Sequence, residues 1–244
     1  MMDIITTLRD DNEYYSGVGR NYLSNSDVGI LLNNPRSYGL SRPDSKNLAE
    51  GRYFHQLLIE PHKAVDMHHV NVSSRNTKEY KKYCEDNNIE FAMLTKEKSD
   101  IEALASIMRS NIQFYDDMYS SGNEYELPAV GEINGLMWKG KADIVCNDFI
   151  IDLKTTSDIN KFKYNARSYN YDSQAYIYQM LFGKPLVFYA IDKETGQLGI
   201  FHPTDNFLNT GRDKVMRAID VYMKYFSDDR TEDIQNHYIL GTLD

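Results

Sequence analysis

The chain has 244 residues, 41% hydrophobic and 26% charged, enough to bury a substantial core. Its net charge of −9 argues against broad, nonspecific coating of nucleic acid, yet permits a local basic groove or carboxylates gathered round cations. Two distant cysteines, Cys84 and Cys146, rule out a four-cysteine zinc or iron–sulfur site within this chain and fit reduced intracellular thiols. No apolar run approaches the ~20 residues that span a bilayer, and the start, "MMDIITTLRDDNEYY", has no basic n-region or apolar h-region. A cytoplasmic protein is expected.

Residues 1–45 are rich in Asn, Ser, Asp and Tyr, with one short amphipathic helix expected at "SNSDVGILLNN", capped by Ser24 or Ser26. "NLAEGRYFHQLLIEP" predicts a helix that stops before Pro61. Residues 62–96 are polar and hold the densest basic stretch, "SSRNTKEYKKY", with His68-His69 read as solvated loop. From Lys96 to Tyr119, Ile101, Leu104, Ala105, Met108, Ile112 and Tyr115 recur at helical spacing and predict one long helix. Strands are expected over 128–134, 137–146 and 149–155, then a helix over 168–182 ending at Gly183. "LVFYAID" and "QLGIFHP" form a hairpin pattern, and a last helix covers roughly 205–226. This order indicates a mixed α/β domain, read as a single unit: an elaboration over 1–45, a core over 46–226 and a tail over 227–244.

The stretch "WKGKADIVCNDFIIDLKTT" carries the chemistry. Asn147-Asp148 suits a tight two-residue turn, which sets Val145 opposite Ile150, Ile144 opposite Ile151 and Asp143 opposite Asp152. Asp143, Asp152, Lys141 and Lys154 then share one face, while Phe149, Ile151, Leu153, Ile144 and Ala142 share the other. Opposed Cβ atoms lie ~4.5–5.5 Å apart, and two carboxylates there call for a proton, a cation or solvent. Mg²⁺ or Mn²⁺ suits such hard oxygen ligands and polarises a phosphodiester while acidifying a bound water. Lys154 is placed to orient that water or offset transition-state charge. A solvent-exposed sheet face with an ordinary Lys–Asp ion pair fits the same spacing.

Three elements in order resemble the PD-(D/E)xK nuclease superfamily, RecB-like branch: Gly140-Lys141-Ala142-Asp143, Asp152-Leu153-Lys154 and Gln174-Ala175-Tyr176-Ile177-Tyr178. Upstream, "EGRYFHQLLIEP" and "NYLSNSDVGILLNNPRSYGL" are similar to elements of RecE-type, lambda-exonuclease-like exodeoxyribonucleases. The resemblance spans about residues 20 to 190 and implies a restriction-endonuclease-like α/β core, a mixed sheet flanked by helices with a helical N-terminal elaboration. It implies metal binding by His55, Asp143, Asp152 and the Leu153 carbonyl, catalysis by Asp143, Asp152 and Lys154, and a substrate-side role for Gln174 and Tyr178. Helix packing is the alternative for Tyr178. Glu132 is a candidate extra acid.

The resemblance further implies a Mg²⁺- or Mn²⁺-dependent exonuclease at duplex DNA ends, digesting 5′-to-3′ to leave 3′ single strands for annealing-type recombination in a bacterial or phage-infected cell. A homo-oligomeric ring is expected, with Arg75, Lys78, Lys81, Lys82, Lys161, Lys163 and Arg167 lining its channel. A single-strand annealing protein is a candidate partner of the N-terminal segment. The rival readings are an endonuclease specific for a structure or for single strands, and a catalytically silent DNA-binding module. No G-x-x-x-x-G-K-[ST] loop is present, so no ATP motor is expected.

Overall fold

The computed structural model describes residues 3–41 and 43–242. The expected elaboration and tail therefore have Met1, Met2, Arg42, Leu243 and Asp244 outside the described residues. Two short helices come first, α1 (Ile4–Leu8) and α2 (Asp11–Tyr15), then α3 (Asn25–Asn33). Ser24 stands at the N-cap of α3, where the Asp27 carboxylate accepts from both its N–H and its hydroxyl. Helix α4 (Lys46–Ile59) starts at Ser45, whose hydroxyl accepts from the Leu48 N–H, and stops at Glu60; Pro61 then opens a separate short turn, α5 (Pro61–Ala64).

The polar segment 62–96 holds more order than its composition suggests. Strands β1 (His69–Val70) and β2 (Met93–Leu94) pair in parallel around a helix, α6 (Lys78–Asp86), capped by Thr77. Only Tyr80 of α6 is buried, so the helix lacks the apolar stripe that would announce it. His68 and His69 are exposed, although His69 lies in β1. The expected long helix is two, α7 (Thr95–Ser110) and α8 (Ile112–Met118). Asn111 between them is extended, and its side chain accepts from the Phe114 N–H to cap the second.

The main sheet has the order β3-β4-β5-β6-β7, from β3 (Glu124–Ile133), β4 (Leu136–Val145), β5 (Ile150–Thr156), β6 (Leu186–Asp192) and β7 (Leu198–Phe201). Within this sheet β5 and β6 pair in parallel and the other neighbours antiparallel; β5 and β6 are joined through α9 (Phe162–Asn165) and α10 (Tyr171–Phe182). Gly183, at φ +67°, ends α10 in the left-handed conformation glycine adopts without a Cβ penalty. Helix α11 (Asp205–Tyr225) follows, with a 3₁₀ turn at Ile234–Asn236 after it.

Both sheet faces are covered. Helices α4, α7 and α8 bury Phe54, Met108 and Phe114 against Ile144, Ile151 and Leu153. Helices α3, α10 and α11 bury Val28, Ile177 and Val215 against Val145, Ile150 and Phe188. Each such side chain contributes ~1.5–3 kcal/mol when removed from water. Ala142 packs in the second cluster, not with Ile144 as strict alternation predicts. The face that carries Asp143, Asp152, Lys141 and Lys154 is therefore a second core and not a solvent-exposed one, and its carboxylates and ammoniums need specific partners.

Candidate active site

The Asn147-Asp148 turn sets the expected register: Val145 pairs with Ile150 and Ile144 with Ile151. Pairing of β4 with β5 stops there. One residue further, Asp143 Oδ2 accepts the Leu153 N–H at 2.7 Å, so a side chain replaces a ladder carbonyl and the strands part. The opened end exposes the Leu153 carbonyl, which accepts from His55 Nε2 of α4 at 2.8 Å. The other ring nitrogen, Nδ1, lies 3.4 Å from Asp143 Oδ1. His55, Asp143 and Leu153 thus meet.

A second acid joins them. His55, Glu126 and Asp143 place one ligand atom each within 4.8 Å of one another. Glu126, not the candidate Glu132, is this acid; Glu132 is exposed further along β3. The Asn134-Gly135 turn, both residues at positive φ, pairs Ile133 with Leu136, and that register brings Glu126 across from Asp143. Glu126 is itself at φ +46°, a conformation costly for a non-glycine residue. The "NG" signal was present in the sequence, but a strand begun at residue 128 leaves residue 126 outside it.

Asp152, 2% exposed, accepts from Gln174 Nε2 of α10 at 2.5 Å on one oxygen and lies 2.6 Å from Lys154 Nζ on the other. Lys154 Nζ also sits 4.8 Å from the centre of the Tyr171 ring. Gln174 therefore touches the site directly. Tyr178, one turn later, donates its hydroxyl to the Lys141 carbonyl of β4. Lys154 also lines two adjoining clefts of about 840 and 470 Å³, the larger reaching Lys139, Lys141 and Tyr15, the smaller Arg52 and Thr155.

Electrostatics fit a cation site. Burial and the neighbouring charge of Asp143 push the Glu126 carboxyl up to about 8. Burial opposes a charge on His55, but the Asp143 carboxylate overrides it and lifts the imidazole to about 9. Burial would raise Asp143, yet His55, Lys154 and the Leu153 N–H hold it below the usual carboxylate range. Burial raises Asp152, only partly offset by Lys154. Burial likewise works against the Lys154 ammonium, but Asp152 wins and raises it, so Lys154 stays charged at neutral pH. Protons on Glu126 and His55 stand where a hard divalent cation would compensate the same carboxylates. Oxygen donors from Glu126, Asp143 and the Leu153 carbonyl with one imidazole match Mg²⁺ or Mn²⁺ chemistry, while Asp152, expected among the ligands, lies outside this cluster with its oxygens on Gln174 and Lys154.

Among the described residues no helix is long and apolar enough to cross a membrane. No curated protein matches the chain. A crystal structure from Eubacterium rectale, of a protein described as a "Putative exonuclease", shares the fold at TM-score 0.64, with 20% identity and 96% of each chain covered. A crystal structure of SSO0001 covers 68% of this chain and 84% of its own at 16% identity and TM-score 0.31, too remote to carry an argument. The five-strand mixed sheet flanked by helices is a restriction-endonuclease-like fold. With residues 36–233 matching its profile, the chain belongs to the family described as PDDEXK-like domain of unknown function (DUF3799).

Proposed function

We propose that the chain is a metal-dependent deoxyribonuclease that hydrolyses phosphodiester bonds from the ends of linear duplex DNA. The observation that carries this reading is the cluster of His55, Glu126 and Asp143 where β4 and β5 part, with the Asp152–Lys154 ion pair beside it on β5. A Mg²⁺ or Mn²⁺ held by these acids, His55 and the Leu153 carbonyl would supply polarisation of the scissile phosphate and a water of lowered pKa. Lys154, kept protonated by Asp152, stabilises negative charge on the reacting phosphate and does not act as a base. Gln174 fixes the Asp152 carboxylate from α10, and Tyr178 fixes β4 behind it.

Exonuclease action, 5′-to-3′ polarity, a ring-shaped homo-oligomer and service to annealing-type recombination are part of the proposal and rest on the resemblance to RecE-type enzymes. The likeness to the Eubacterium rectale protein is consistent with exonuclease action. Of the basic residues assigned to a ring channel, Arg75 pairs with Glu97, Lys82 with Asp86 and Lys161 with Asp158.

The test is nucleotide release with Mg²⁺ from linear duplex DNA beside a covalently closed circle of the same sequence. Release from the linear form alone, abolished by EDTA and by Asp152→Ala, is the expected result. Cutting of the circle would establish an endonuclease, and a folded, DNA-binding protein that releases nothing would establish a silent module.

A further inference from the structure

Resting on the nuclease reading, we propose that Lys141 is a second phosphate-binding cation of the site and that Asp11 is its resident counter-ion, displaced when nucleic acid binds. Lys141 is the second residue of the Gly140-Lys141-Ala142-Asp143 element, two positions before the metal-binding acid on the same strand. It is 7% exposed, yet lines the 840 Å³ cleft that Lys154 also lines. Its ammonium lies 4.5 Å from the centre of the Tyr14 ring and 5.7 Å from that of Tyr15. Two aromatic rings orient the charge without neutralising it.

What distinguishes Lys141 is the nature of its partner. Among the other cations of this cleft, Lys139 donates to the Tyr14 backbone carbonyl and Arg20 to that of Gly39, while Lys154 is held by buried Asp152. Those partners are fixed by backbone or by burial. Lys141 donates at 2.8 Å to Asp11, a side chain 45% exposed at the start of the five-residue α2. Asp11 also accepts from Lys63 at 2.7 Å, so one carboxylate bridges two ammoniums from different elements. A phosphodiester presents the same charge and the same paired oxygens. A carboxylate on a short helix can leave by a side-chain rotation or a shift of α2, and burying Lys141 without an anion would be costly. The exchange of one anion for another keeps that ammonium paired throughout.

Asp11→Asn tests this directly, by fluorescence anisotropy of a labelled duplex with a 3′ overhang, with Ca²⁺ in place of Mg²⁺. Removing the competing carboxylate raises affinity about three- to tenfold, equivalent to roughly 0.6–1.4 kcal/mol. Asp66→Asn, which removes an exposed carboxylate that Lys141 does not pair with, leaves affinity unchanged. In a Lys141→Met background the gain from Asp11→Asn disappears, and Lys141→Met itself lowers the salt dependence by about one phosphate contact. Equal gains from Asp11→Asn and Asp66→Asn, or no gain with circular dichroism unchanged, would overturn the assignment. If Lys141→Met fails to fold, the contrast between the two aspartate variants still decides. Native protein that degrades linear DNA while Asp11→Asn binds like wild type sinks this inference alone. Native protein that binds no DNA sinks the nuclease reading as well.

Discussion

The ring of Tyr178 occupies the space that a side chain at Gly140 would need. A Cβ on residue 140 would lie 2.9 Å from Tyr178 Cε1 and 3.2 Å from Leu181 Cδ1, and the same tyrosine donates to the Lys141 carbonyl. Two sequence elements that read as separate motifs are therefore one packing unit, with α10 laid flat on β4. Gly140→Ala forces the ring off the strand. Overpacking of this kind costs ~1–3 kcal/mol, read as a lower urea midpoint, and nuclease activity falls because Asp143 lies three residues on.

Gln174→Ala leaves one oxygen of buried Asp152 without its donor. A hydrogen bond to a charged group is worth ~1.5–3 kcal/mol, and the loss divides between stability and metal affinity. Thermal melts with and without Mg²⁺ separate the two. An unchanged Mg²⁺-induced shift in melting temperature would show that Gln174 serves packing alone.

Glu126→Gln has opposite consequences for the two forms of the protein. Without metal, it removes a carboxylate forced against Asp143 and stabilises the fold above the Glu126 pKa of about 8. With metal, it removes a hard ligand and weakens Mg²⁺ binding. Melting temperatures at pH 9 therefore rise for the metal-free variant and respond less to Mg²⁺.

The metal-free protein loses stability as pH rises. Glu126 goes from 4.5 unfolded to about 8 folded, and His55 from 6.5 to about 9, so the folded state binds more protons between those values. Stability from both protons is complete at low pH and falls across pH 4.5 to 9. Mg²⁺ binding at pH 7 expels these protons, and calorimetry in buffers of different ionisation enthalpy measures the release. No buffer dependence would mean that these groups do not meet the cation.

Burial, and to a lesser degree Asp117, push the Cys146 thiol up to about 11. At pH 8 its thiolate fraction is then on the order of a thousandth. A thiol reagent modifies Cys146 only after unfolding, while the less buried Cys84 reacts in the native protein.

Sequence pattern determined the order of the main-sheet strands and the hairpin at Asn147-Asp148 as far as Ile144 opposite Ile151, because a two-residue turn fixes strand register at short range; the expected opposition of Asp143 and Asp152 lies beyond the point where the ladder stops. The same logic reaches Glu126 through Asn134-Gly135, but only for a strand long enough to include it. Helix α6 was hidden because a helix with one buried side chain has no apolar period. Only the tertiary structure decided that β4 and β5 part at Asp143 and that Asp11 of α2 closes on Lys141. Residues 11 and 141 are joined by no local periodicity or turn. Their contact exists because burying an ammonium requires an anion, and the chain brings one from its far end to supply it.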